Sequence, residues 1–107
     1  MRIEVITDSP QHLVDGINKA ILYQVVQTWN TVENENQEIV YAHTAGQCEG
    51  TALLKPVIYR NKVAFRVTWG AQNAEPRRDV KGYILGRFIE MLLVHFPRFY
   101  SKLETYE

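Results

Sequence analysis

Cysteine is nearly missing: Cys48 stands alone in 107 residues, so no disulfide within the chain can brace the fold. Long apolar runs are missing as well. The longest, such as Met91-Leu92-Leu93-Val94, fall far short of the roughly 20 residues that cross a bilayer. The amino end, Met-Arg-Ile-Glu-Val, reaches Asp8 and Ser9 without the sustained apolar stretch of a secretory signal. A reducing, cytoplasmic setting without a membrane partner is therefore expected. There is no cysteine pair, no His-x-x-x-His, no Gly-rich phosphate loop and no Asp-rich calcium loop, so neither a metal site nor a cofactor is expected.

Net charge is absent too, with twelve Lys and Arg against twelve Asp and Glu. That balance averages two unlike halves. Residues 1–50 hold Arg2 and Lys19 against seven acids, a balance of −5, whereas residues 51–107 hold ten bases and five acids, a balance of +5. Such asymmetry either marks a charged partner or is cancelled when the halves fold together. A hydrophobic content of 46% excludes disorder, and the length supports one core, so a single domain over 1–107 is expected.

Ile3, Val5 and Thr7 alternate with Arg2, Glu4 and Ile6, which predicts a short strand with one buried face. Ser9 as N-cap and Pro10 in the first helical position then open a helix predicted to run to about Asn30, with Val14, Ile17, Ile21 and Val25 as its apolar stripe. Thr31 to Gln37 is polar and reads as an exposed loop. Three strands follow, over 38–44, 51–59 and 62–69, the last two joined at Arg60-Asn61. That turn places Ile58 opposite Val63, Pro56 opposite Phe65 and Leu54 opposite Val67 on an apolar face; on the reverse, Lys55 meets Arg66 and Val57 meets Ala64. Pro56 cannot donate to a ladder, which predicts an edge or a bulge there.

A second helix is expected from a cap at Asp79, or at Asn73 with Pro76 in the first turn, to His95, stopped by Pro97. Residues 98–107 read as a loosely packed tail or a short turn of helix with Phe99 and Leu103 turned inward. The order β-α-β-β-β-α fits an α+β domain, two helices on one face of a mainly antiparallel sheet and the other face open.

The open face is the first functional candidate, because Lys55 opposite Arg66, with Tyr59 and Lys62 beside them, sets like charges together among Leu53, Val57 and Ala64. A non-enzymatic interaction module follows, binding a protein partner or a second copy as a homodimer. Nucleic acid is the alternative partner, through the basic stretch 55–87, which adds Arg77, Arg78 and Lys81 at the start of the last helix; there they either attend a bound anion or are neutralised by Glu75 and Asp79. Double-stranded RNA-binding domains share the helix, three-strand, helix order. They carry a dense Lys run at that position, whereas Arg77-Arg78-Asp79-Val80-Lys81 is interrupted by an acid, so the likeness is one of topology and not of family. A third reading is a small-ligand binder or an enzyme using His43 and Cys48, as a thiolate beside an imidazole can act as a nucleophile; no signature surrounds Cys48, and no catalytic residue is assigned. Gly16, Gly82 and Gly86 inside helices each cost roughly 0.8–1 kcal/mol against alanine, which predicts close packing at all three.

Overall fold

The computed structural model describes residues 1–44 and 52–107. Among them β1 (Arg2–Ile6), α1 (Pro10–Leu22), β2 (Trp29–Glu33), β3 (Ile39–His43), β4 (Leu53–Ile58), β5 (Lys62–Thr68), α2 (Arg78–His95) and β6 (Lys102–Tyr106) follow in chain order. The strands form one antiparallel sheet in the order β2-β3-β4-β5-β1-β6. Both helices bury their apolar sides against the same face of it, so the α+β architecture and the one-sided helical layer are as the sequence predicts. The element order gains two strands.

Those strands sit at the two edges. The first helix stops at Leu22 rather than near Asn30. Gln24 takes a positive φ of 61°, and the N–H groups of Val25 and Val26 donate back to the Ala20 carbonyl, which turns the chain out of the helix. Beyond the turn, Val25, Val26, Thr28 and Trp29 are β-branched or aromatic and lose rotamer freedom in a helix. Trp29 is instead buried as the first residue of β2, and this strand, made of the end of the expected helix and the first three residues of the expected loop, pairs with β3 from Trp29↔His43 to Glu33↔Ile39. Asn34 closes the hairpin, its Oδ1 accepting from the backbone N–H groups of Asn36 and Glu38 at 2.9 Å. An edge strand needs only one dry position, which is why its sequence looks like loop.

The tail forms a strand as well. Residues 102–106 pair with β1 from Arg2↔Tyr106 to Ile6↔Lys102 and cover an edge that β1 would otherwise expose. Phe99 and Leu103 do pack against the core.

The β4–β5 hairpin has the predicted register throughout: Leu54↔Val67, Pro56↔Phe65 and Ile58↔Val63 on one side, Lys55↔Arg66 and Val57↔Ala64 on the other. The Tyr59 N–H donates to the Lys62 carbonyl at 2.9 Å across the turn. Pro56 is not on an edge strand, since β4 lies between β3 and β5; the β3 register falls at Tyr41↔Leu54, and Pro56 lies two residues past it. Arg77 occupies the N-cap position of α2, in place of Asn73 or Asp79, and Asp79 accepts from the Val80 N–H in the first turn. Ser9 does precede α1, but its side chain makes no capping hydrogen bond.

Phe88 is central to the core, with ring centroids 4.6 Å from Phe65, 5.2 Å from Trp29 and 5.9 Å from Tyr41. Tyr41 keeps its hydroxyl satisfied by donating to Asn18 Oδ1 at 2.6 Å. Close packing accounts for only one of the three helical glycines. A Cβ on Gly16 would meet the Phe96 and Phe99 rings at 3.4 and 3.5 Å, whereas one on Gly82 or Gly86 would meet nothing within 4 Å.

Candidate interaction surface and a separate hollow

Strand alternation sends Ile3, Val5, Leu54, Val63, Phe65 and Val67 into the helical layer, so their neighbours Arg2, Glu4, Lys55, Val57, Ala64 and Arg66 lie on the open face. Cross-strand register aligns Lys55, Arg66, Arg2 and Tyr106 in one row, and Val57, Ala64, Glu4 and Glu104 in the next.

Carboxylates relieve most of the repulsion that this arrangement implies. Glu4, 8% exposed, accepts from Arg2 Nε at 2.9 Å and from Lys62 Nζ at 3.0 Å. The hydrogen bonds from Arg2 and then Lys62 hold its carboxyl below the usual range. Glu38 takes Lys55 at 2.9 Å and is lowered chiefly by that contact. Arg2 lies 4.2 Å from the centre of the Tyr106 ring, Lys62 lies 5.2 Å from that of Tyr59, and Lys102 pairs with Glu104 at 3.7 Å. Glu4 and Glu38 belong to the acidic half and Lys62 and Lys55 to the basic half, so on this face the fold mixes the two halves. Arg66 differs: it is exposed and has no carboxylate partner among the described residues.

The face is also partly dry. Ala64 and Val40 are 0% and 1% exposed although neither belongs to the core under the helices, and Leu53, Val57 and Ile6 are half-buried around them.

Arg77, Arg78 and Lys81 are placed elsewhere. They begin α2 in the helical layer, so they do not extend the row through Lys55 and Arg66. Each has a local acid: Arg77 meets Asp79 at 3.3 Å, Arg78 meets Glu107, and Lys81 meets Glu75 while lying over the Trp69 ring. Three cations thus stand against three acids at that helix start, in pairs that are largely exposed.

His43 ends β3 inside the fold, 8% exposed, with its ring edge-on to Trp29 at 4.9 Å and to Tyr83 at 6.0 Å. Burial and then the nearby Arg87 push its pKa below the ordinary value of 6.5, with Glu90 opposing. Cys48 lies outside the described residues, and so does any contact it makes with His43. Beside His43 a hollow of about 360 Å³ opens between the α1–β2 turn and the last turns of α2, with Trp29 and Met91 in its wall, Val25 and Val94 at its margin, and Arg87 and Glu90 across it. No spacing in the sequence marks this set, which comes from three separate elements; Trp29 reads there only as part of a helical stripe. Among the described residues no group of three or more His, Cys, Asp or Glu could hold a metal ion, and no helix is long and apolar enough to cross a membrane.

Comparison with protein families, with curated proteins and with solved structures finds no match to this chain.

Proposed function

We propose that the chain is a non-enzymatic interaction module that docks a protein partner on the open sheet face, with Arg66 receiving a carboxylate of that partner. The carrying observation is Arg66 itself: an exposed guanidinium flanked in its row by Lys55, paired with Glu38, and Arg2, which shares Glu4 with Lys62, beside the half-buried Val57. Depletion of free charge around an arginine anchor is the pattern of an interface centre. Arg2, Lys55, Lys62, Arg66 and Lys102 face Glu4, Glu38 and Glu104 there, five cations to three carboxylates. The excess favours an acidic partner over a second copy, which would bring the same excess against itself. One cysteine in the chain supports a cytoplasmic setting for this encounter.

Affinity capture from native lysate with wild-type and Arg66→Glu baits, each with and without nuclease, tests the reading. We expect proteins retained by the wild type, unaffected by nuclease, and lost at least about tenfold on charge reversal, the equivalent of about 1.4 kcal/mol. Capture that nuclease abolishes would transfer the face to nucleic acid. Equal capture by both baits, or a dimeric mass for the isolated chain that Arg66→Glu dissociates, would also overturn an acidic partner.

A further inference from the structure

The hollow beside His43 has a separate chemistry. Val25 and Val94 are 62% and 65% exposed at its margin, while Trp29 and Met91, both nearly covered, give it an apolar wall. Arg87 and Glu90, one helical turn apart on α2, present a cation and a carboxylate to the same space; Arg87 Nη1 reaches the two Glu90 oxygens only at 3.3 and 3.4 Å, between exposed side chains, and its guanidinium lies 5.1 Å over the Tyr83 ring. Such a pair is worth little in water and is readily exchanged for better partners. We propose that this hollow binds a small amphipathic zwitterion of the apolar α-amino acid class, its hydrocarbon part against Val25 and Val94 over the floor of Trp29 and Met91, its carboxylate on Arg87 and its ammonium on Glu90.

Charge complementarity selects this class. A lone carboxylate would meet Arg87 but be repelled by Glu90, and a lone amine would meet the reverse. A peptide terminus carries only one of the two charges. A zwitterion satisfies both, and its ammonium also gains from the carbonyl end of α2, which closes at His95 beside the hollow. His43 in the wall is held toward its neutral form by burial, and His95 lines the hollow at the end of α2. A volume of about 360 Å³ is near the lower end of ligand sites, roughly 300–1,000 Å³, which suits an amino acid better than a nucleotide.

Amide and indole NMR of the full chain decides it, with L-phenylalanine and L-leucine as probes against 3-phenylpropionate, which lacks the ammonium, and phenethylamine, which lacks the carboxylate. The amino acids should shift the Trp29 indole N–H and the His43 signals saturably, at least about tenfold more tightly than either analogue. Glu90→Gln should raise the half-saturation for L-phenylalanine but not for 3-phenylpropionate, and Arg87→Gln should do so without weakening phenethylamine. Both side chains are exposed, so spectra of the unliganded variants should otherwise be retained. Absence of saturable shifts up to about 20 mM, generous for a ligand of this size, equal binding of the analogues, or shifts confined to another surface would overturn the proposal.

Discussion

The open sheet face and the hollow at the corner of the helices solve opposite problems with much the same residue types. On the face, charges from both halves of the chain are laid side by side and partly cancelled, Glu4 with Arg2 and Lys62, Glu38 with Lys55. What remains is shallow, partly dry, and marked by one exposed arginine. At the corner the charged pair is local, Arg87 with Glu90, and the long-range contacts are aromatic: Trp29 packs on Phe88 from behind and His43 from the side. A flat surface with a positive excess suits a macromolecule, whereas a concave apolar wall with two opposed charges suits something small. The difference also predicts where stability resides.

Trp29→Ala is the strongest way to test that division, since it removes a buried ring that both anchors the start of β2 and backs the hollow. A loss of about 3–5 kcal/mol is expected, read as a lower urea midpoint. Arg66→Glu, on the exposed face, should stay within about 0.5 kcal/mol of the wild type. Comparable losses from the two would erase the distinction between a structural corner and a binding face.

Acid separates the regions by the pH at which each weakens. The folded pKa of Glu4 is depressed, so its contribution is present above the usual 4.5 and is lost as pH falls through the folded value. His43 is also depressed, but as a base: the unfolded chain takes up its proton near 6.5 while the folded chain resists, so stability falls as pH drops below 6.5. Acidification should therefore weaken the fold in two steps, first at the corner and then at the sheet face. His43→Gln should flatten the stability profile just below pH 6.5, and Glu4→Gln should reduce its slope below 4.5, leaving the part due to Glu38, while lowering stability at pH 7. Denaturant titrations across pH 3–8 check both; a single shared step would show that one group governs the acid response.

The same contrast explains what the sequence could disclose. The β4–β5 hairpin was legible because apolar residues occupy one parity and Lys55, Arg66 and Thr68 the other, and a slip of one residue would have moved Phe65 and Leu54 to the wet side. The open face followed from it, including the opposition of Lys55 and Arg66. Its neutralisation did not, because Glu4 reaches Lys62 across 58 positions of sequence. Edge strands were illegible for a related reason: β2 buries Trp29 alone among its five residues, so its backbone pairing leaves almost no hydrophobic period. The hollow could not be read because its walls belong to a turn taken for helix, the end of β3, and α2, a helix apolar around most of its circumference.

The glycines of α2 sharpen the comparison at the smallest scale. α2 lends one side to the core and another to the hollow, and Gly82 and Gly86 lie on its exposed surface with open space where each Cβ would stand. Nothing in the isolated fold then opposes alanine, which is the better helix former because it restricts the unfolded backbone more. Gly82→Ala and Gly86→Ala should each raise stability by about 0.5–1 kcal/mol, seen as a higher thermal midpoint, and should leave both Arg66-dependent capture and amino-acid binding unchanged. A gain in stability accompanied by loss of either activity would add the solvent side of α2 to the surface in question. A loss of stability would mean that this side of the helix is already covered by something in solution.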